Sequence, residues 1–431
     1  MLCSNHKIDI LQHIHLWVVY WQIDKLFQQY IHLRMKIQTI LLFPFVFLFC
    51  LPVYCDDTTL SQYSFKMQGV MGNIIPHDKH VKALIQGPVT GGELSVEFQT
   101  MGDKEWHQYH HFPTIGVGTV YLDLGNTAKL GNVYALYPYL NLSLWRNDYL
   151  NLYLKGGAGA SYLTKNYYNT KIDNSFVGAN SAIGSPLNIY FSGGGGIQLP
   201  IRNGWSASAE YTWNHMSNGS VIVPNSGINI MNAFVGVKYF PKYQNFKFPA
   251  NKEISDIQHR YTLEFIASGG RRQLYYKDNQ SFSIGSLALS LFRPINNRLR
   301  MGVGIDGFYD GAFDGNTIYE RTYITSNELK NKFRAGISWQ NELVFGRMTA
   351  GFHFGLYMYN PLKNLEPYED AKLQPLNKPL IYSYDIDKED GWLYTRAALK
   401  YTITKHMFLS VGLKTHLQKA EFIEWGLGCR L

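Results

Sequence analysis

In the stretch 211-YTWNHMSNGSVIVPNSGIN-229, a histidine and a serine stand two residues apart, His215 and Ser217. On a β-strand such residues share a face, with Cβ atoms roughly 6 to 7 Å apart, so the imidazole reaches the hydroxyl. A histidine so placed can take the hydroxyl proton as the oxygen attacks an ester carbonyl, which is nucleophilic catalysis with a general base. Such a pair also needs a group to orient the imidazole and donors for the oxyanion. Asn218 and, in the following loop, Asn225 carry side-chain amides that can donate. The plain alternative is a His and a Ser that sit at headgroup level and do no chemistry.

The elements that would hold these residues are strands. From Tyr63 onward, segments of about ten residues alternate apolar and polar side chains, separated by turns rich in Gly, Asn, Asp and Pro. This is the pattern of a transmembrane β-barrel. In 333-FRAGISWQNELVF-345, Phe333, Ala335, Ile337, Trp339, Leu343 and Phe345 fall on one face, and Arg334, Ser338, Gln340 and Glu342 on the other. The same rule puts Leu299, Met301, Val303 and Ile305 towards lipid and Arg298, Arg300 and Asp306 towards a lumen. On the candidate strand from Trp205 to Ser217, the polar set Ser206, Ser208, Glu210, Thr212 and Asn214 belongs inside. His215 and Ser217 therefore point to lipid, beyond an aromatic girdle at the strand's outer end. Composition agrees: 15% aromatic, only 17% charged, 31 Tyr and 39 Gly. A secreted β-sandwich is the alternative architecture, and the dense exterior aromatics argue against it.

One long apolar run, 37-IQTILLFPFVFLFCLPVYC-55, follows Met35-Lys36 and precedes Asp56-Asp57. It reads as a signal peptide starting at Met35 and cleaved after Cys55; Pro44 and Pro52 argue against a membrane anchor. Residues 1 to 34 resemble no targeting signal. Cleavage removes four basic and two acidic residues from a chain of formal charge +8, leaving about +6. That surplus is spread along the chain without a Lys/Arg cluster, which speaks against nucleic acid and suits an anionic membrane surface. Only Cys429 remains of four cysteines, so no internal disulfide and no cysteine metal site is expected.

About sixteen strands are expected, beginning near Phe65, Leu94, Ile115, Val133, Leu150, Leu187, Trp205, Ile230, Tyr261, Phe282, Leu299, Phe333, Met348, Trp392, Met407 and Phe422. If both ends are periplasmic, the polar connections 162 to 186, 310 to 332 and 358 to 390 become extracellular loops. The connection 241 to 258 disagrees, being too long for a periplasmic turn. The organisation expected is a leader over 1–55, a barrel region over 56–240, a linker over 241–258 and further barrel strands over 259–431. One barrel closing all sixteen strands is favoured over two in tandem. The last strand, 421-EFIEWGLGCRL-431, puts Ile423, Trp425, Leu427, Cys429 and Leu431 on one face and resembles an outer-membrane assembly signal, although that signal usually ends in Phe. The barrel assembly machinery is thus an expected partner.

H-M-S-N from His215 followed by P-N-S-G-I-N from Pro224 to Asn229 resembles the signature of the outer-membrane lipid A 3-O-deacylase family, the PagL-type acyloxyacyl hydrolases. The resemblance covers about Phe65 to Phe240. It implies an eight-stranded barrel whose outer face carries His215 as general base and Ser217 as nucleophile, with Asn218 and Asn225 as oxyanion donors. It further implies lipid A of lipopolysaccharide, in the outer-membrane lipid, as the substrate, and no cofactor. One position departs from the family: its acidic triad member falls on Asn229. By parity Asn229 shares the lipid-side face with Met231, Ala233, Val235 and Val237, where it could meet His215. A neutral amide can accept from the imidazole N–H and set its tautomer, but cannot stabilise the imidazolium as a carboxylate does. Glu210 cannot replace it, because it faces the lumen.

His110-His111 and seven acidic residues among 366 to 390 raise the question of a metal; solvated loops are the expected reading. The run 193-GGGG-196 lacks the Lys-Ser/Thr of a phosphate loop and reads as strand. The rival to an esterase is a non-catalytic barrel, a channel or a structural protein, whose lumen Arg298, Arg300, Arg334 and Glu342 would line.

Overall fold

The structure is a computed structural model. It describes residues 62–77, 79–172, 178–242, 248–249, 260–274, 280–313, 329–360, 391–416 and 419–431. The leader and the acidic stretch 366–390 lie outside the described residues, as does most of the connection 241–258. Sixteen strands are described, all antiparallel to their neighbours. No helix among the described residues is long and apolar enough to cross a membrane, which leaves crossing by strands untouched.

The strands close as two barrels of eight. The first comprises β1 (Tyr63–Ile74), β2 (Val89–Gln99), β3 (Thr114–Asp123), β4 (Asn132–Arg146), β5 (Asn151–Leu163), β6 (Leu187–Arg202), β7 (Trp205–Ser217) and β8 (Ile228–Tyr239). It closes where β8 pairs with β1, from Phe65 opposite Tyr239 to Ile74 opposite Ile230. The second comprises β9 (Thr262–Arg272), β10 (Phe282–Pro294), β11 (Leu299–Asp310), β12 (Phe333–Phe345), β13 (Met348–Tyr359), β14 (Leu393–Thr402), β15 (Met407–His416) and β16 (Lys419–Arg430). It closes from Arg430 opposite Glu264 to Trp425 opposite Gly269.

The expectation of one sixteen-stranded barrel is therefore corrected. The physical reason lies inside the barrels: eight strands enclose a space that side chains can fill, and each set of eight carries its own filling of balanced charge. In the first barrel, Lys155 Nζ sits 3.1 Å from Glu93 and 2.7 Å from Glu210, and Lys66 Nζ 2.5 Å from Glu210. Lys238 pairs with Glu97 at 2.7 Å, while the hydroxyls of Tyr137, Tyr139 and Tyr153 donate to Glu93, Glu97 and Glu210. In the second, Arg300 and Lys400 reach Glu264 at 2.6 and 2.8 Å, and Arg396 bridges Asp306 and Glu424 at 2.8 and 2.7 Å. Burial without pairing would be prohibitive for such charges, so each network fixes its own barrel. The long connection 241–258 is the link between two closed barrels rather than a turn within one.

Outward parity is as the alternation predicts. Met67, Met71, Leu94, Tyr211, Val235, Val303, Ile305, Ile337 and Trp339 are exposed on the barrel exteriors, while Arg334, Ser338, Gln340 and Glu342 are buried within. Arg298 differs. It lies in the β10–β11 turn, exposed, and donates to His111 Nε2 at 3.3 Å.

The two barrels touch at both ends. At one end, the His110 ring donates from Nε2 to Val344 O at 2.9 Å and packs on Phe345, with centroids 4.6 Å apart. His110 and His111 follow a short helix, α1 (Glu105–Tyr109), in the β2–β3 connection. They therefore serve inter-barrel contacts, and no group of three or more metal-ligating side chains stands together among the described residues. At the other end, the β7–β8 connection meets β9 and β16.

Candidate active site

His215 and Ser217 end β7, and Asn229 begins β8 directly opposite His215 in the ladder. This pairing brings a residue fourteen positions away into line. His215 Nδ1 donates to Asn229 Oδ1 at 2.7 Å. With that proton on Nδ1, Nε2 is bare and accepts from Ser217 Oγ at 2.9 Å. The tautomer is the one a base needs.

The surroundings hold the ring in place. Trp213, two residues before on the same face, stacks on the imidazole with centroids 5.5 Å apart and planes 22° apart. Gly227, at φ +79°, approaches so closely that a Cβ there would stand 2.8 Å from His215 Cε1. Only glycine suits both that backbone and that space. Ser217 is buried, while His215 and Asn229 are partly covered.

The expected donors differ from each other. The Asn218 side-chain amide is engaged within the protein, donating to Ser185 Oγ and Ile222 O, both at 2.8 Å. Its backbone N–H donates to Asn225 Oδ1 at 3.0 Å. That bond turns the other end of the Asn225 carboxamide, Nδ2, away from Asn218, and Nδ2 is buried without a partner. A buried donor left unpaired costs about 1 to 3 kcal/mol, and Asn225 Nδ2 is such a donor beside the Ser217 loop.

Sequence reasoning missed His77. It follows β1, and the closure of β1 on β8 carries it to the far side of Asn229. Asn229 Nδ2 donates to His77 Nδ1 at 3.3 Å, and His77 Nε2 donates to Ser226 O at 2.9 Å. Nothing local in the sequence around 74-IIPH-77 signals this; only the barrel closure does.

A hydroxyl, an imidazole and an amide thus stand in line on the outward face of a β-barrel whose exterior is apolar. Comparison with known families names the class. Residues 90–238 match the model of the lipid A 3-O-deacylase (PagL), and residues 261–370 and 381–431 match the acyloxyacyl hydrolase C-terminal domain. The chain belongs to the lipid A 3-O-deacylase family, and it is an outer-membrane β-barrel protein of that family. Its second barrel coincides with the C-terminal domain that the family model describes. No curated protein matches the chain. Among solved structures, the outer membrane enzyme PagL is similar at 17% identity and TM-score 0.26, covering 41% of this chain and 98% of its own. A Rhodopseudomonas blastica porin mutant is similar at 7% identity and TM-score 0.17, covering 86% of this chain and 100% of its own. The family assignment rests on the sequence models alone.

Proposed function

We propose that the protein is an esterase that removes an ester-linked acyl chain from lipid A, with Ser217 as nucleophile, His215 as general base and Asn229 as the group that orients the base. The observation that carries this reading is the continuous hydrogen-bonded line from Ser217 Oγ through His215 to Asn229 Oδ1. As Oγ attacks the ester carbonyl carbon, its proton passes to His215 Nε2 and the carbonyl oxygen becomes an oxyanion. Asn225 Nδ2, buried and unpaired, is the donor offered to that oxygen. Collapse of the tetrahedral intermediate breaks the bond to the sugar oxygen, which leaves with the proton from His215. Water then attacks the acyl-serine, with His215 again as base, to release the fatty acid and restore the hydroxyl.

The lipid-side position suits a substrate whose acyl chains already lie in the leaflet. Filled lumens favour this reading over a channel, since a packed interior of ion pairs offers water no continuous path. Mass spectrometry of lipid A from cells expressing the protein tests it. Loss of one acyl chain with the wild type, and not with Ser217→Ala, is expected. Unaltered lipid A in both, with the protein folded in the outer membrane, would refute it.

A further inference from the structure

The loop after Ser217 is held by the barrel to which it does not belong. Ser220 O accepts from Gln273 N at 2.8 Å, Ser220 Oγ donates to Ala420 O at 3.0 Å, and Gln273 Oε1 accepts from Val223 N at 3.1 Å. Gln273 directly follows β9 and Ala420 lies in β16, the two strands that close the second barrel. Their ladder stops at Trp425 opposite Gly269. Beyond that pair the two strands are no longer laddered, and Ser220 meets an amide at the end of one and a carbonyl of the other. Unpaired strand-edge groups at a membrane boundary need such partners.

A second observation points the same way. Ile423 lies on the outward face of β16 with Trp425 and Leu427, yet it is buried, 5% exposed against 48% for Leu427. Gly219 covers it: a Cβ on Gly219, at φ +60°, would stand 2.3 Å from Ile423 Cγ1. The loop thus presses on the second barrel with a residue that must be glycine both for its backbone and for its space.

From this geometry we infer that the second barrel is a positioning element for the nucleophile's loop, acting chiefly through Gln273. Pinning Gly219, Ser220 and Val223 fixes the path from Asn218 to Asn225. Asn218 N–H in turn holds Asn225 Oδ1, so the seam of one barrel sets where the free Asn225 amide of the other points. Gln273 touches no reacting atom; it acts through the loop. The inference rests on the esterase reading for its kinetic consequence and stands on its own for the geometry.

The test compares full-length wild type, Gln273→Ala and Gln273→Glu in detergent micelles, using hexa-acylated lipid A as substrate. Gln273→Ala keeps the backbone amide and removes the acceptor for Val223 N–H, whereas Gln273→Glu keeps an acceptor. For Gln273→Ala we expect kcat to fall about tenfold, as one hydrogen bond's worth of loop position is lost, with KM within about twofold. Gln273→Glu should recover most of that loss. Independently of turnover, the Asn225 side-chain amide signal in 15N-asparagine-labelled protein, assigned with Asn225→Asp, should shift or broaden in Gln273→Ala and not in Gln273→Glu. A shift in that signal with no hydrolysis by any form supports the docking role and removes the esterase reading. An unmoved signal in Gln273→Ala, or equal loss of kcat in both variants, would overturn the inference.

Discussion

Replacing Asn229 with glutamate should raise the deacylation rate, and the structure sets how much. The departure at Asn229 removes charge and keeps geometry: His215 Nδ1 still donates over 2.7 Å, so the tautomer is right. In the proposed mechanism, what is missing is stabilisation of the imidazolium as Ser217 gives up its proton. Hydrogen bonds between neutral groups are worth about 0.5 to 1.5 kcal/mol and those to charged groups about 1.5 to 3. The difference, about 1 to 2 kcal/mol, corresponds to about 5- to 30-fold in kcat. It is far smaller than the loss of about ten-thousandfold seen when a triad amide imposes the wrong tautomer. An amide has a further weakness, since it can turn over and present Nδ2 to His215, which would force the imidazole proton onto Nε2 and abolish the base. His77 Nδ1, accepting from Asn229 Nδ2, opposes that turn. His77→Ala should therefore cost about fivefold where residue 229 is Asn, about one hydrogen bond. In the Asn229→Glu background it should cost less than twofold, because a carboxylate accepts from either end. Initial rates of fatty acid release at saturating lipid A measure all four forms, and 15N shifts of His215 report the tautomer directly. An Asn229→Glu protein that folds and is no faster would refute the missing-charge argument. Equal cost of His77→Ala in both backgrounds would refute the orienting role.

Three further outcomes follow from the same geometry. Gly227→Ala places a methyl 2.8 Å from His215 Cε1 in a left-handed backbone, and an ångström of ring displacement should lower kcat about a hundredfold with the barrel intact by heat-modified electrophoresis. Lys155→Met leaves Glu93 and Glu210 to share Lys66 and should destabilise the first barrel by about 3 to 5 kcal/mol in detergent unfolding, while Glu210→Gln in addition should restore part of it. His107, in α1 of the β2–β3 connection, is held by burial down to about 4 from an ordinary 6.5. The folded protein then resists a proton that the unfolded chain accepts. Stability from this group is full above about 6.5 and falls as pH drops towards 4, so His107→Gln should flatten the acid loss of thermal midpoint over that range.

Strand positions and faces were legible because period-two alternation is a local signal. Trp205, Tyr211 and Trp213 face out and Ser208, Glu210 and Thr212 face in, as parity alone requires. The meeting of His215 with Ser217 was legible for the same reason, and that with Asn229 followed from parity together with the neighbouring strand. Barrel number was not legible, because alternation says nothing of which strand closes on which. The one sequence signal was the misfit of residues 241 to 258, which suits a link between barrels better than any turn. The partners of Asn218 were equally out of reach: its amide turns to Ser185 and Ile222 through loop conformation, not strand parity. Arg298 was misplaced because alternation was carried one residue past the strand's end into a turn.

His77 and Gln273 share the reason they were invisible, and that reason says how the site is built. Each follows the first strand of its barrel, and each reaches the site only because that strand closes on the last one. The β1–β8 seam carries His77 behind Asn229, and the β9–β16 seam holds Gln273 and Ala420 around Ser220. The line through Ser217, His215 and Asn229 therefore stands where two ring closures meet, one backing Asn229 and the other holding the loop beyond Ser217. Both depend on the buried ion pairs that let eight strands, and not sixteen, close around a filled interior. The buried charges of the lumen thus belong to the same scaffold that brings the lipid-facing residues together.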